Sequence, residues 1–309
     1  MGMAFADTLV AESNADVIIV DRHARPGGHW NDAYPFVRLH QASTFYGVGS
    51  RPLGNEQPIT SGPNKGLSEL ASAAEICSYF DKVMQETLLP SGRVRYFPMC
   101  DYQGDFEQEH RFVSRVSGKT QRIRVRKKVV DATYTDTQVP STHAPSFPVA
   151  PGVRSVPVNE LVGLASAHQR YVIIGAGKTA IDACLWLLDN GAEPDSMRWI
   201  KPREAWLQDR AHLQPGAASL GIIESFADTA EAAAQAESVD DLFERLGAAK
   251  VLLRVDETVK PTMYRCATIS AAELALLRRI KDVVRLGRVQ RIDADQIVLE
   301  RGSVPALPG

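Results

Sequence analysis

The sequence predicts an α/β chain of two domains, each built on a parallel sheet. Three observations carry that expectation. A β-branched run, Val17-Ile18-Ile19-Val20, follows a stretch in which Ala4, Phe5, Thr8 and Leu9 recur at helical spacing. A second run, Tyr171-Val172-Ile173-Ile174, leads into a glycine-rich turn and then an apolar helix from Ile181 to Leu188. Finally, 309 residues suffice for two ordinary domains, and the proline-rich stretch from Pro140 to Pro157 reads as the linker. We therefore expect domains at 1–150 and 151–309.

Taken in order, the first helix and strand are followed by Arg25-Pro26-Gly27-Gly28, a loop by composition. The irregular stretch from Tyr34 to Lys65 is punctuated by Pro35, Pro52, Pro58 and Pro63 yet carries aromatics, which marks it as a binding loop. Ser72-Ala73-Ala74-Glu75 has the order of a capping box, with Ile76, Tyr79, Phe80 and Val83 continuing an apolar helical face. From Val94 to Thr133 the pattern is of strands, and Arg122, Arg124 and Arg126 alternate as the solvated face of a hairpin. In the second domain, helices are expected over Phe226–Lys250 and Ala271–Asp282, the latter capped by Ser270 with Glu273 three residues on. Together they make a helical insertion at about 226–282.

Composition narrows the function. Thirty-five Lys and Arg against 37 Asp and Glu give a net charge of −2, which argues against a nucleic-acid or membrane-surface partner. No apolar run approaches the ~20 residues of a membrane span, so a cytoplasmic location is expected. Cys77, Cys100, Cys184 and Cys266 are scattered without a CxxC and read as buried thiols, with no metal site. There is no HExxH and no GxSxG.

The strongest signal is Gly175-Ala176-Gly177-Lys178-Thr179-Ala180, a G-x-G-x-x-A between a strand and a helix. Gly175 permits the tight turn, Gly177 lets backbone approach a pyrophosphate, and Ala180 allows close helix–strand packing. The helix N-terminus then faces the anion. About 20 residues further on, an acid would take a ribose hydroxyl and a base the 2′-phosphate of NADP. The sequence there is Lys201-Pro202-Arg203, which favours NADPH over NADH.

The chain's first residues echo this unit. Gly2 precedes Asp21 by 19 positions as Ala180 precedes Lys201 by 21, with a helix and a hydrophobic strand between. Gly2 thus reads as the third glycine of a first fingerprint whose strand and earlier glycines lie upstream. Two Rossmann-like dinucleotide-binding domains are expected, the first truncated at its N-terminus and the second intact.

With Asp21, Gly27-Gly28-His29-Trp30, the loop from Tyr34-Pro35 to Tyr46 and the Gly175 fingerprint in view, the chain resembles the flavin-containing and Baeyer–Villiger-type monooxygenases. The resemblance implies FAD on the first domain and NADPH on the second. Asp21 and Arg22 would lie at the adenosine ribose, while Gly28, His29, Trp30, His40 and Gln41 match positions beside the flavin. It also implies hydride transfer from NADPH to flavin, then reaction with O2 and oxygen transfer to a small-molecule substrate. Asn31, Asp32, Arg38 and His40 are the polar candidates for catalysis; Trp206, Asp209 and Arg210 follow the NADP strand, Trp206 better read as packing. The chain departs from the family in lacking its FxGxxxHxxxW linker signature and in carrying Tyr134 where a glycine is common. It also ends before the segment that returns to the FAD domain. The alternative is a non-catalytic NAD(P)-binding protein with a defective FAD site.

Overall fold

The computed structural model describes residues 1–55, 57–104, 109–133 and 140–306. The chain divides into two compact units: Met1–Pro35, Ser43–Asn55 and Ala71–His143 form one, and Phe36–Ala42, Glu56–Leu70 and Ala144–Gly309 form the other. Two stretches of the long irregular loop therefore belong with the C-terminal half of the chain.

In the first unit, α1 (Gly2–Glu12) buries Ala6 and, less obviously, Asp7. The Asp7 carboxylate tolerates burial because it accepts the Ser50 amide at 2.9 Å and the Ser50 hydroxyl at 2.5 Å. Next come β1 (Val17–Val20) and the small hairpin of β2 (Gly47–Val48) and β3 (Arg51–Pro52). The Tyr79 hydroxyl fastens that hairpin, accepting the Val48 amide at 2.7 Å and donating to the Arg51 carbonyl at 2.6 Å. Tyr79 comes from α2 (Ala73–Val83), whose Ser72–Glu75 capping box forms as the sequence indicates. Its apolar face buries Ile76, Cys77 and Val83. β4 (Val94–Phe97) lies parallel to β1, Val17 opposite Val94, and β5 (Cys100–Tyr102), β6 (Arg111–Ser114) and β7 (Thr120–Arg122) make an antiparallel meander.

Beyond β7 the expectation of strand fails. Residues 126–133 run without a ladder partner among the described residues, and Arg126 instead pairs with Asp16 at 2.6 Å. The β-branched pair Val129-Val130 has propensity, but a strand forms only against a neighbour. Tyr134 lies outside the described residues.

The parallel sheet of the second unit begins with β8 (Tyr171–Ile174), α3 (Lys178–Asp189) and β9 (Met197–Ile200). An inserted lobe follows: β10 (Ala205–Asp209), α4 (Leu220–Gln235), α5 (Val239–Ala248), β11 (Leu252–Leu253), β12 (Met263–Ile269) and α6 (Ala271–Leu277). The chain then returns through β13 (Asp282–Val284) and closes with β14 (Val289–Ile292), β15 (Gln296–Leu299) and β16 (Gly302–Pro305). β13, β9 and β8 pair side by side, all parallel, so the spatial order is third, second, first. That is the order of one mononucleotide-binding half of a doubly wound fold. α3 packs Ile181, Cys184 and Leu187 with Ile173, Met197 and the wholly buried Trp199. β16, β15 and β14 form an antiparallel sheet whose Ile292, Ile297 and Leu299 pack with Ile200.

The stretch 226–282 is helical only in part. β11 and β12 flank β10 in a three-stranded sheet, and α6 stops at Leu277. The alternation in Met263–Ile269 is masked by Arg265 and Cys266, and Val283-Val284 pairs with the free side of β9 rather than extending the helix. Cys77, Cys100 and Cys184 are buried free thiols as read, whereas Cys266 is exposed. It sits where the pairing of β12 with β10 shifts register, at φ 54°. Among the described residues no helix is long and apolar enough to cross a membrane, and no group of three metal-ligating side chains gathers.

Candidate functional site

The fingerprint turn sits at the C-terminal edge of the parallel sheet. Gly175 adopts φ 137°, a conformation L side chains avoid, and a Cβ there would stand 3.3 Å from the Ala180 Cβ. The turn is fastened from β9: the Gly175 amide donates to the Ile200 carbonyl at 2.9 Å, and the Trp199 indole donates to the Gly175 carbonyl at 2.8 Å. Gly177 is the N-cap of α3, which no side chain caps, and a Cβ on it would meet nothing within 4 Å. The first turn of α3, with Lys178 and Thr179, therefore starts beside open space. Lys178 leans back to form an ion pair with Asp182 one turn on. This combination of uncapped helix amides and unobstructed backbone suits an anion.

At the tip of β9 the reading changes. Lys201, expected with Arg203 to take the 2′-phosphate of NADP, is 2 % exposed and forms an ion pair with Glu204. Its ammonium also lies 4.3 Å from the centre of the Trp199 ring. Burial pushes the Lys201 ammonium below its ordinary range, with Glu204 acting against that trend. The other Glu204 oxygen accepts Arg285 Nε at 2.9 Å, and Arg285 Nη2 reaches Asp256 at 3.0 Å. The hydroxyl and amide of Thr258 hold the Asp256 carboxyl below the usual carboxylate range. Lys201 is thus buried because an acid three residues later needs it. Arg203 stays exposed, with Nη2 3.7 Å from the Met263 sulfur. Glu204 was the missed residue, and the i,i+3 spacing of Lys201 and Glu204 was the signal for it.

His40 and Gln41, matched by the resemblance to positions beside a flavin, and the catalytic candidate Arg38 fold within the unit that carries the fingerprint. Arg210 holds the His40 backbone there. It is wholly buried, and its Nε donates to the His40 carbonyl at 3.0 Å. Nη1 serves Glu273 at 2.6 Å and the Asn64 side-chain oxygen, and Nη2 reaches the Thr268 carbonyl at 3.2 Å. Burial alone would raise Glu273, but Arg210, the Ser270 amide and Asn64 hold it below its ordinary value. For the His40 ring, burial and then the nearby Lys178 charge push the pKa down to about 4. Arg38 donates to the Leu70 carbonyl at 2.9 Å. Arg210 is therefore a buried clamp rather than a group facing a ligand. Trp206 is buried and stacks on Phe243 at 6.1 Å, in keeping with a packing role, and Asp209 caps the short turn that follows it.

In the first unit, Asp21 follows β1 as the pattern required, with its amide on the Phe97 carbonyl at 3.0 Å. Its carboxylate is engaged: Oδ1 accepts the His23 amide at 2.9 Å and lies 3.0 Å from His23 Nδ1. His23 Nε2 lies 3.0 Å from Asp32, so a histidine unnoticed in the sequence links the two acids. Arg22 is largely exposed, 3.6 Å from Asp101. Gly27 and Gly28 take φ 133° and 54°, opening a one-turn helix over Gly28–Asn31. His29 and Trp30 lie in that turn with ring centres 5.1 Å apart, and burial lowers the His29 pKa. Asn31 closes the turn, donating to the Gly28 carbonyl at 3.0 Å and accepting Arg25 Nε at 2.9 Å. At Gly2 a Cβ would stand 3.0 Å from the Ala132 Cβ, so α1 passes this segment closely. The four polar candidates for catalysis thus divide: Asn31 and Asp32 in one unit, Arg38 and His40 in the other.

No family model matches the chain. It is 54 % identical over 309 residues to uncharacterized proteins of Mycobacterium bovis and of two strains of Mycobacterium tuberculosis. The alignment covers 100 % of this chain and 56 % of each relative, so the chain spans about half the length of the curated relatives it matches. Among solved structures it is similar to a bacillithiol disulfide reductase, Bdr, from Bacillus cereus. That match has 12 % identity and a TM-score of 0.40, and covers 98 % of this chain and 70 % of that one.

Proposed function

We propose that the chain is an FAD- and NADPH-dependent oxidoreductase of monooxygenase type, acting on a small-molecule substrate in the cytoplasm. The observation that carries the reading is the turn from Gly175 to Ala180, with its positive φ, its open Gly177 and its uncapped helix at the edge of three parallel strands. In this reading the backbone of Gly177, Lys178 and Thr179 holds the NADPH pyrophosphate, Ala180 keeps α3 close to the sheet, and Arg203 takes the 2′-phosphate. Residues before about 150 hold FAD, with Asp21 and Arg22 at its adenosine and Gly2, Gly28, His29 and Trp30 around it. When bound, this pair supplies hydride transfer from nicotinamide to flavin and the reaction of reduced flavin with O2. The chain itself binds, orients and excludes water.

One observation favours a second reading, an NADP-binding protein without flavin: the Asp21 carboxylate is already held by His23. Both readings face the same test. The purified protein is expected to be yellow, with a flavin spectrum that bleaches on NADPH addition under nitrogen. Colourless protein that binds NADPH would leave the second reading standing, and protein that binds neither cofactor would reject both.

A further inference from the structure

We propose that preference for NADPH over NADH is set here by withholding an acid: Lys201 and Arg285 keep Glu204 away from the ribose, leaving Arg203 to meet the 2′-phosphate. The inference rests on the reading of the Gly175 turn as a nicotinamide-dinucleotide site.

A carboxylate just beyond the second strand of such a unit accepts ribose hydroxyls and repels a phosphate. Glu204 lies four residues past the end of β9, so an acid is present in the right neighbourhood. It is not available. Its side chain is 1 % exposed, one oxygen is paired with Lys201 and the other with Arg285 at 2.9 Å. Arg285 follows β13, the strand beside β9, and so approaches from the same C-terminal edge of the sheet. Asp256, 3.0 Å from its Nη2, anchors it from the inserted lobe. Two acids and two bases thus cancel within the fold, and the buried charge of Glu204 is compensated on the protein side. Arg203, by contrast, is exposed and has no carboxylate at ion-pair distance among the described residues. The residue that discriminates by contact is therefore Arg203, and Arg285 is a positioning residue acting through Glu204.

The test measures dissociation constants for NADPH and NADH, and for the fragments 2′,5′-ADP and 5′-AMP, which need no flavin and no turnover. Wild type is expected to favour the 2′-phosphorylated member of each pair, and Arg203→Gln to weaken that member about tenfold, the worth of one charge-assisted contact. Arg285→Gln should release Glu204 and shift the NADPH/NADH ratio toward NADH by about tenfold as well. The double variant Arg285→Gln/Glu204→Gln should restore the ratio, which simple loss of structure would not do. Should Arg285→Gln fail to fold, Arg285→Lys keeps the charge but cannot serve both acids, and a smaller shift toward NADH is expected. An unchanged ratio in the Arg285 variant that folds, or no recovery in the double variant, overturns the proposal. Wild-type protein that binds none of the four ligands rejects the dinucleotide reading itself.

Discussion

The two units run through the same local order, a helix, a short loop, a hydrophobic strand and a charged tip, and they diverge at that tip. In the second unit the helix α3 follows a fastened glycine turn, and β9 lies between parallel neighbours on both sides. In the first, α1 begins at Gly2 and β1 pairs with β4 alone among the described residues. Neither tip residue points freely outward: Asp21 is taken by His23 two residues later, and Lys201 by Glu204 three residues later. A strand end therefore does not declare its own chemistry. The next few residues decide whether its charge is offered to a ligand or kept.

Substitutions separate the charges and turns that hold the fold from those offered to a ligand. The largest effect is expected from Arg210→Met, which leaves Glu273 charged, buried and unpaired. Urea unfolding should show a loss of about 3–5 kcal/mol, and a loss below ~1 kcal/mol would mean that this cluster is no more structural than the exposed pairs. Next, Gly177→Val should fold with near-normal stability, because its Cβ meets open space, yet weaken NADPH binding by about 100-fold (~2.7 kcal/mol) through obstruction of the backbone approach. Gly175→Val should instead cost about 1–3 kcal/mol of stability, since φ 137° is strained for any side chain. If the two variants behave alike, the turn only packs.

His40 gives a pH-dependent contribution of roughly 3 kcal/mol. Its folded pKa of about 4 lies below the unfolded value near 6.5, so the unfolded chain binds more protons between the two. The contribution is complete above pH ~6.5 and is lost as the pH falls through about 4. Comparing unfolding free energies of wild type and His40→Gln across that window should show a steeper slope in wild type, the difference being the share of His40 beside that of other groups such as His29. The smallest effect is expected at the first tip. His23→Ala removes hydrogen bonds from a partly exposed cluster, costing about 0.5–1.5 kcal/mol. By freeing Asp21 it should also tighten flavin binding about threefold, read from flavin fluorescence. Weaker binding would make His23 a partner of the ligand site rather than its competitor.

Much of the frame was legible because it is written in local pattern. The capping boxes at Ser72 and Ser270, the run Tyr171–Ile174 and the glycine turn each depend on residues within a few positions. What was not legible depends on distant partners. Val129-Val130 looks like a strand, yet no described neighbour ladders with it; the helix expected to run to Asp282 stops at Leu277, and Asp282 instead opens the strand that β9 draws into the sheet. The site shows the same division. Gly175, Gly177 and Ala180 could be placed by spacing, whereas the partner of the second Glu204 oxygen, Arg285, lies 81 positions away and is itself anchored by Asp256, 29 positions before it. His40 and Gln41 were set beside a flavin by resemblance alone, and no local pattern indicated that Arg210, 170 residues later, fixes the His40 backbone.

That clamp has a consequence for how the protein is made. Arg210 joins His40, Asn64, Thr268 and Glu273, so one buried charge waits on segments from both ends of the sequence. During synthesis at roughly 5–20 residues per second, the early segments would leave the ribosome many seconds before Glu273 exists to neutralise the guanidinium. The second unit must then close late, through contacts of long sequence separation that slow folding. Until it does, the stretches 36–42 and 57–70 lack the Arg210 bonds that anchor them at His40 and Asn64.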